Sequence, residues 1–164
     1  MIKYIKKVNL FVTFLMITGL AIAYNTTKNS YKCMIQLTNY TGEGAYIVIS
    51  LMNPEGEYEE TLYVHGDDDE WYHDISEWWS FYGKKRPNID AITGETIGGG
   101  ERAVSIIEID PSKINAGYKL RFETAVEDKE YYEKDVEFDL TSENVSGKHE
   151  GTGFVRYIRL IPNE

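Results

Sequence analysis

The stretch Tyr118-Lys-Leu-Arg-Phe-Glu-Thr-Ala-Val126 decides the fold because its side chains alternate in character. The first, third, fifth and last residues of this run are apolar or aromatic, whereas most of the residues between them are charged. A period of two residues is the spacing of a strand that has one face in the core and the other in water. The run therefore predicts a half-buried β-strand.

Six other segments show the same alternation or a short apolar run, and turn residues separate them. These segments are residues 31–38, 47–51, 61–65, 103–109, 136–140 and 154–161. Asn53-Pro-Glu-Gly56 is typical of a turn between the second and third strands, because proline fixes the bend of the backbone. About seven short strands joined by turns predict an all-β fold, a single antiparallel sandwich of immunoglobulin-like architecture.

One short segment breaks the two-residue period and predicts a helix. Asp74 and Glu77 fit a capping box at its start, and Gly83 is a natural terminator. Between them, apolar and aromatic residues recur at helical spacing. Two interpretations of Trp78 and Trp79 are open: they fasten the helix to a sheet, or they form a stacking surface for a planar ligand such as a flavin, a haem edge or a sugar ring.

The amino terminus predicts export. Three lysines precede an almost wholly apolar run, residues 8–23, which is shorter than the roughly 20 residues of a membrane-spanning helix. Ala21-Ile-Ala23 fits a signal-peptidase site. We therefore expect a signal helix over residues 1–23 and a sandwich domain over 24–164, located in the periplasm or outside the cell. The alternative is an uncleaved segment that anchors the domain in the inner membrane.

Charge and cysteine content restrict the partners and the chemistry. The formal net charge is −10 at pH 7, and removal of the leader lysines makes the protein more acidic. Phosphate groups would be repelled, so we expect neither nucleic acid nor anionic lipid as a partner. The single cysteine, Cys33, cannot form an internal disulfide. It shares a strand face with Ile35 and Leu37, which predicts a buried thiol.

Two patterns that could carry chemistry are weak. His65, the acidic run 67–70 and His73-Asp74 could bind calcium or a transition metal. Their spacing matches no established metal loop, and an exposed acidic loop is the better interpretation. Neither Gly-x-Ser-x-Gly nor His-Glu-x-x-His occurs in the chain, which disfavours a hydrolase. We therefore predict neither a metal site nor catalytic residues.

The strongest candidate site is Asp90-Ala-Ile-Thr-Gly-Glu-Thr96, followed by Ile97 and three glycines at 98–100. Glycine has no side chain, so a loop of this composition lets the backbone approach a ligand closely. The basic residues at 84–86 could neutralise a phosphate. The alternative is a solvated turn between the helix and the next strand.

Four runs, in order and spacing, resemble a family of predicted bacterial periplasmic proteins known as domain of unknown function 2271. They are Asn53-Pro-Glu-Gly-Glu-Tyr-Glu-Glu-Thr-Leu-Tyr-Val64, Trp78-Trp79, Asp90-Ala-Ile-Thr-Gly94 with Thr96 and a following glycine, and Ala116-Gly-Tyr-Lys-Leu-Arg-Phe-Glu123. Together they cover about residues 40–126. The resemblance implies an exported protein encoded beside flavin transferases and membrane proteins with peptidase-propeptide-like (PepSY) domains, and hence extracytoplasmic electron transfer.

The candidate loop also resembles a bacterial motif at which a transferase attaches flavin mononucleotide (FMN) to a hydroxyl. Asp90, Thr93, Gly94 and the acceptor Thr96 match that motif, whereas Glu95 stands where the motif has a small residue. The resemblances imply a non-catalytic accessory protein that binds a flavin-bearing domain or a membrane redox protein through this loop and the tryptophan helix. The alternatives are an electron carrier with FMN on Thr96 and a structural or adhesive module of the envelope.

Overall fold

A computed structural model describes residues 27–163, and the predicted signal helix lies outside the described residues. This part of the chain forms strands, four short 3₁₀ helices and one α-helix. The strands are β1 (Asn29–Leu37), β2 (Tyr46–Met52), β3 (Tyr58–His65), β4 (Thr93–Gly94), β5 (Arg102–Ile109), β6 (Lys119–Ala125), β7 (Tyr131–Asp139), β8 (Lys148–Glu150) and β9 (Val155–Pro162). The helices are α1 (Ser76–Tyr82) and the 3₁₀ turns Asp69–Asp74, Asp90–Ile92, Pro111–Lys113 and Asn144–Ser146.

Two sheets pack against each other, which confirms the predicted all-β sandwich. The smaller sheet has four strands in the order β5-β1-β9-β8, and the larger has five in the order β4-β3-β2-β6-β7. Neighbouring strands are antiparallel except for β3 and β4, which are parallel. All seven predicted segments are strands. The sequence predicts neither β4 nor β8, because two or three residues are too few to show a period.

The core between the sheets is built from the alternating side chains that the sequence predicts. Cys33, Ile35 and Leu37 of β1 have no exposed surface, which confirms the buried thiol. Phe122 of β6 stacks on Phe138 of the neighbouring strand β7, with ring centroids 6.4 Å apart. Burial of this apolar area is the main driving force for closing the sandwich.

The outer face of the five-stranded sheet is covered by the segment that follows β3. We call residues 66–92 the cover. From it, Tyr72, Ile75 and Trp78 pack on Val48 of β2 and Ala125 of β6. Strand β6 is therefore buried on both faces, and the predicted solvent-facing side of this strand is wrong.

The outer face of the four-stranded sheet carries exposed apolar side chains instead. Val104, Ile106 and Ile161 are 59%, 44% and 43% exposed. They share one face, because Lys32 of β1 pairs with Ile106 on one side and with Ile161 on the other. Among residues 27–163, no helix is long and apolar enough to cross a membrane.

The cover begins with a 3₁₀ helix that the sequence did not predict. Asp68 caps it by accepting a hydrogen bond from the backbone N–H of Glu70, 3.1 Å away. Asp74 belongs to this 3₁₀ helix, and α1 starts after Ile75 without a side-chain cap, so the predicted capping box is wrong. Gly83 ends α1 as predicted, since its N–H donates to the carbonyl of Trp79 over 2.7 Å.

Candidate functional site

The candidate loop is tied to the sandwich at two points. Thr93 and Gly94 pair with Val64 and His65 as β4. Ile97 exchanges two backbone hydrogen bonds with Ala45, of 2.7 and 3.1 Å, and its side chain is buried in the core between the sheets. Backbone pairing on both sides of Thr96 therefore holds this segment in one conformation.

The glycines after Thr96 contact the chain's own backbone. A Cβ atom at Gly99 would overlap the carbonyl oxygen of Tyr40. Gly100 has a positive φ of 78°, which favours glycine, and its N–H donates to the carbonyl of Thr38 over 2.8 Å. The close approach that these glycines allow is thus to residues 38–40.

Thr96 lines a small cavity of about 160 Å³, which we call the Thr96 pocket. Its walls are Glu43, Gly44, Tyr46, Trp71, Asp74, Thr96, Ala125 and Glu127. Gly44 faces Thr96 so closely that a Cβ atom at position 44 would overlap the threonine hydroxyl. The hydroxyl of Thr96 is therefore confined from one side and partly exposed on the other.

The electrostatics of the Thr96 pocket are strongly acidic. Glu43, Asp74 and Glu127 contribute three carboxylates, and none of the lining residues is basic. Burial, reinforced by the nearby acidic groups, raises the pKa of Tyr46 to about 12. A phosphate or phosphoester at Thr96 would be repelled by this field.

Asp90 and Trp79 lie elsewhere, in a groove of about 490 Å³ that we call the Trp79 groove. It is lined by Asp69, Glu70, His73, Trp79, Tyr82, Arg86, Pro87, Asn88, Ile89 and Asp90. The guanidinium carbon of Arg86 lies 4.9 Å from the centre of the Trp79 ring, a cation–π distance. The rings of Trp79 and Tyr82 are 6.0 Å apart and inclined by 45°.

Asp90 is held at the rim of the Trp79 groove by local hydrogen bonds. The side-chain amide of Asn88 donates to the Asp90 carboxylate over 3.3 Å, and the backbone N–H of Asp90 donates back to the Asn88 side-chain oxygen over 3.0 Å. Thr93 also helps to fix Asp90, since the Thr93 hydroxyl donates to the backbone carbonyl of Asp90 over 3.2 Å. The Asp90 carboxylate is exposed and fixed in place.

Trp78 belongs to the interior. Its indole has no exposed surface, its Nε1 donates to the hydroxyl of Thr61 over 2.8 Å, and it stacks on Tyr82 at 4.6 Å. This is the fastening role that the sequence left open, and Trp79 provides the partly exposed aromatic surface. The six predicted residues therefore occupy different places: Thr96 in its pocket, Trp79 and Asp90 in the groove, Thr93 and Gly94 in β4, and Trp78 in the core of the cover.

Sequence reasoning missed a buried acid under the cover. Glu123 of β6 has no exposed surface and accepts hydrogen bonds from the hydroxyls of Tyr58 and Tyr131, one on each carboxylate oxygen. Burial raises the pKa of Glu123 to about 7. Since alternation placed Glu123 on the outer face of β6, no local signal distinguished it from a solvated acid.

The acidic loop after β3 is exposed, as the sequence predicts. Residues 67–70 point into solvent, whereas His65 is buried and burial lowers its pKa to about 4. His73 is exposed, and its Nε2 lies 3.2 Å from the Asp74 carboxylate. Within residues 27–163, no group of three His, Cys, Asp or Glu side chains is arranged so that it could hold a metal ion.

Comparison with known proteins identifies the family. No protein of curated function and no solved structure matches the chain. The model of the DUF2271 family, described as a predicted periplasmic protein, matches residues 28–157 and thus spans the sandwich from β1 into β9. The chain therefore belongs to the DUF2271 family of predicted periplasmic proteins.

Proposed function

We propose that this protein is a non-catalytic accessory protein of an extracytoplasmic flavin-linked redox system. Its partner is a flavin-bearing domain, which docks at the Trp79 groove. The observation that carries this proposal is the position of Trp79 and Asp90, which lie on one accessible groove although they are eleven positions apart in the sequence.

The chemistry of the Trp79 groove suits an exposed flavin edge. The half-buried rings of Trp79 and Tyr82 offer flat aromatic area against which a planar isoalloxazine ring can pack. Arg86 supplies a positive charge for the phosphate of FMN, which has to lie at the Arg86 side because three carboxylates also line the groove. Asp90, fixed by Asn88, offers an acceptor for an N–H of the isoalloxazine ring.

The carrier alternative, with FMN on Thr96, finds less support. The phosphoester would have to form in a cavity of about 160 Å³ that already holds three carboxylates. Glu95, adjacent to the acceptor, adds a fourth negative charge. Coulomb repulsion between these groups and the phosphate opposes both attachment and retention of FMN.

A peptide that carries FMN on threonine through a phosphoester is a suitable probe, because it reproduces the exposed group of a flavin-bearing domain. We expect the purified protein to raise the anisotropy of the FMN emission and to quench it, since the flavin would contact Trp79. Trp79→Ala should weaken this binding by about tenfold or more. Trp71→Ala, which removes an aromatic ring from the Thr96 pocket instead, should leave it unchanged.

Two results would contradict this function. Absence of binding at millimolar protein would contradict the proposal that the partner is a flavin-bearing domain. A mass increase of one FMN after co-expression with a flavin transferase, lost in Thr96→Ala, would establish the carrier alternative in its place. Equal binding by the Trp79→Ala and wild-type proteins would agree with a flavin-bearing partner but would contradict the Trp79 groove as its binding site.

A further inference from the structure

Strand β5 is an open edge of the four-stranded sheet. It is the terminal strand of that sheet, and within residues 27–163 its eight residues pair with β1 alone. The backbone N–H and C=O groups along its other side are a template for a further strand. Its outward-facing side chains are Arg102, Val104, Ile106 and Glu108, all exposed.

We propose that two copies of this chain associate through β5, antiparallel and edge to edge, about a two-fold axis at Ser105. The two four-stranded sheets would then form one continuous sheet of eight strands. Such an interface is isologous, so each contact occurs twice and the pair of chains is closed.

The order of side chains along β5 is complementary to itself in this register. With Ser105 on the axis, Arg102 lies opposite the partner's Glu108, and Val104 lies opposite the partner's Ile106. Opposite charges and branched apolar side chains are favourable cross-strand pairs. An axis at Val104 would place Arg102 opposite Ile106, and an axis at Ile106 would place Val104 opposite Glu108. Only the Ser105 register pairs opposite charges with each other and apolar side chains with each other along the whole outer face.

The residue on the proposed axis, Ser105, faces the interior of its own sandwich. Its side chain is 4% exposed, and its hydroxyl, which has no hydrogen-bond partner in the described part of the chain, is covered by its own chain. The register is therefore set by the outward-facing pairs on either side of Ser105.

The same register covers apolar surface. Val104 and Ile106 are 59% and 44% exposed. Edge pairing places Val104 of each chain beside Ile106 of the other chain. The end of the cover, Ala91 and Ile92, lines a cavity beside Ile106 but leaves this side chain exposed. The two-fold pairing therefore removes exposed apolar area at the place where the described chain leaves it open.

Sedimentation equilibrium of the purified protein tests this interface. We expect the average mass to rise from monomer to dimer between about 1 μM and about 1 mM, the range of modest interfaces. Glu108→Arg places Arg102 opposite an arginine twice per dimer, and should raise the dissociation constant by about tenfold or more. The double variant Arg102→Glu with Glu108→Arg restores opposite charges and should recover dimerisation.

Glu150→Arg is the matched control, since it reverses an exposed charge on β8, the opposite edge of the same sheet. It should dimerise like the wild-type protein. A monomeric mass throughout the concentration range would overturn the proposal. So would dimerisation unaffected by Glu108→Arg, or loss of the dimer in Glu150→Arg, which would place the interface on β8. Circular dichroism spectra that overlay on the wild type confirm that each variant is folded.

Discussion

The outer face of the five-stranded sheet is covered by the chain itself, whereas the outer face of the four-stranded sheet is exposed. Residues 66–92 cover the five-stranded sheet with aromatic side chains and bury Glu123 beneath them. On the four-stranded sheet, Val104, Ile106 and Ile161 remain exposed. Both faces carry apolar residues, yet only one is covered from within residues 27–163.

The two proposals place separate tasks on the two sheets. The Trp79 groove is made by the cover itself, and Trp71 and Asp74 of the cover form one wall of the Thr96 pocket. The proposed binding surface is therefore built on the covered sheet, and the proposed self-association uses the β5 edge of the other sheet. Substitutions beneath the cover should lower the free energy of unfolding strongly, whereas substitutions on the open face should change it little.

Removal of the Trp78 side chain should have the largest effect. Trp78→Ala leaves a cavity under the cover and an unpartnered hydroxyl on Thr61, so we expect the free energy of unfolding to fall by about 3–5 kcal/mol. Urea denaturation followed by circular dichroism measures this loss. Trp79→Ala, on the same helix but partly exposed, should cost about 1 kcal/mol or less.

Equal losses for the two tryptophans would show that the cover does not distinguish an inner from an outer face. A small loss for Trp78→Ala, together with rapid hydrogen exchange over residues 66–92, would show that the cover opens independently of the sandwich. Either result would end the assignment of Trp78 as the residue that fastens the cover.

The buried acid beneath the cover should make stability depend on pH. The folded-state pKa of Glu123 is raised to about 7 from an ordinary 4.5, so the native state binds this proton more tightly than the unfolded chain. The stabilisation is complete below pH 4.5 and is lost as pH rises through 7. Between pH 4.5 and 8, wild-type stability should fall relative to Glu123→Gln by on the order of 2–3 kcal/mol.

Chemical denaturation of both proteins at several pH values gives this difference directly. The wild-type profile contains the titration of every acid in the protein, but the difference between the two profiles isolates Glu123. Glu130→Gln, an exposed acid in the turn before β7, should run parallel to the wild type. If the stability profile of Glu123→Gln were also parallel to that of the wild type, Glu123 would be solvated in the native state.

The same contrast explains how much of the molecule the sequence could predict. Alternation along residues 118–126 and the turn at Asn53-Pro-Glu-Gly56 are local signals, and signals of this kind predict the seven main strands correctly. Strand β4 depends on pairing with β3, almost thirty residues earlier in the chain, and no local pattern encodes that contact.

The candidate site was predicted less completely, for the same physical reason. Trp78 and Trp79 are adjacent in sequence and both fit the helix spacing, but only the position of the sheet decides which one is buried. The alternation places Glu123 on the solvent side of β6, but residues about 45 positions earlier in the chain cover that side. Side chains whose surroundings come from distant segments cannot be assigned from local periodicity.

The smallest effect is expected on the open face, from a substitution that can be matched on both sheets. Val104→Thr adds a hydroxyl where water can bond it, so the free energy of unfolding should change by less than about 0.5 kcal/mol at low micromolar protein. Val48→Thr places the same hydroxyl under the cover, where burial without a partner should cost about 1–3 kcal/mol. Paired urea denaturation curves measure both changes. If Val104→Thr were as costly as Val48→Thr, the four-stranded sheet would also have to be covered in solution, even at a concentration at which the chain is monomeric.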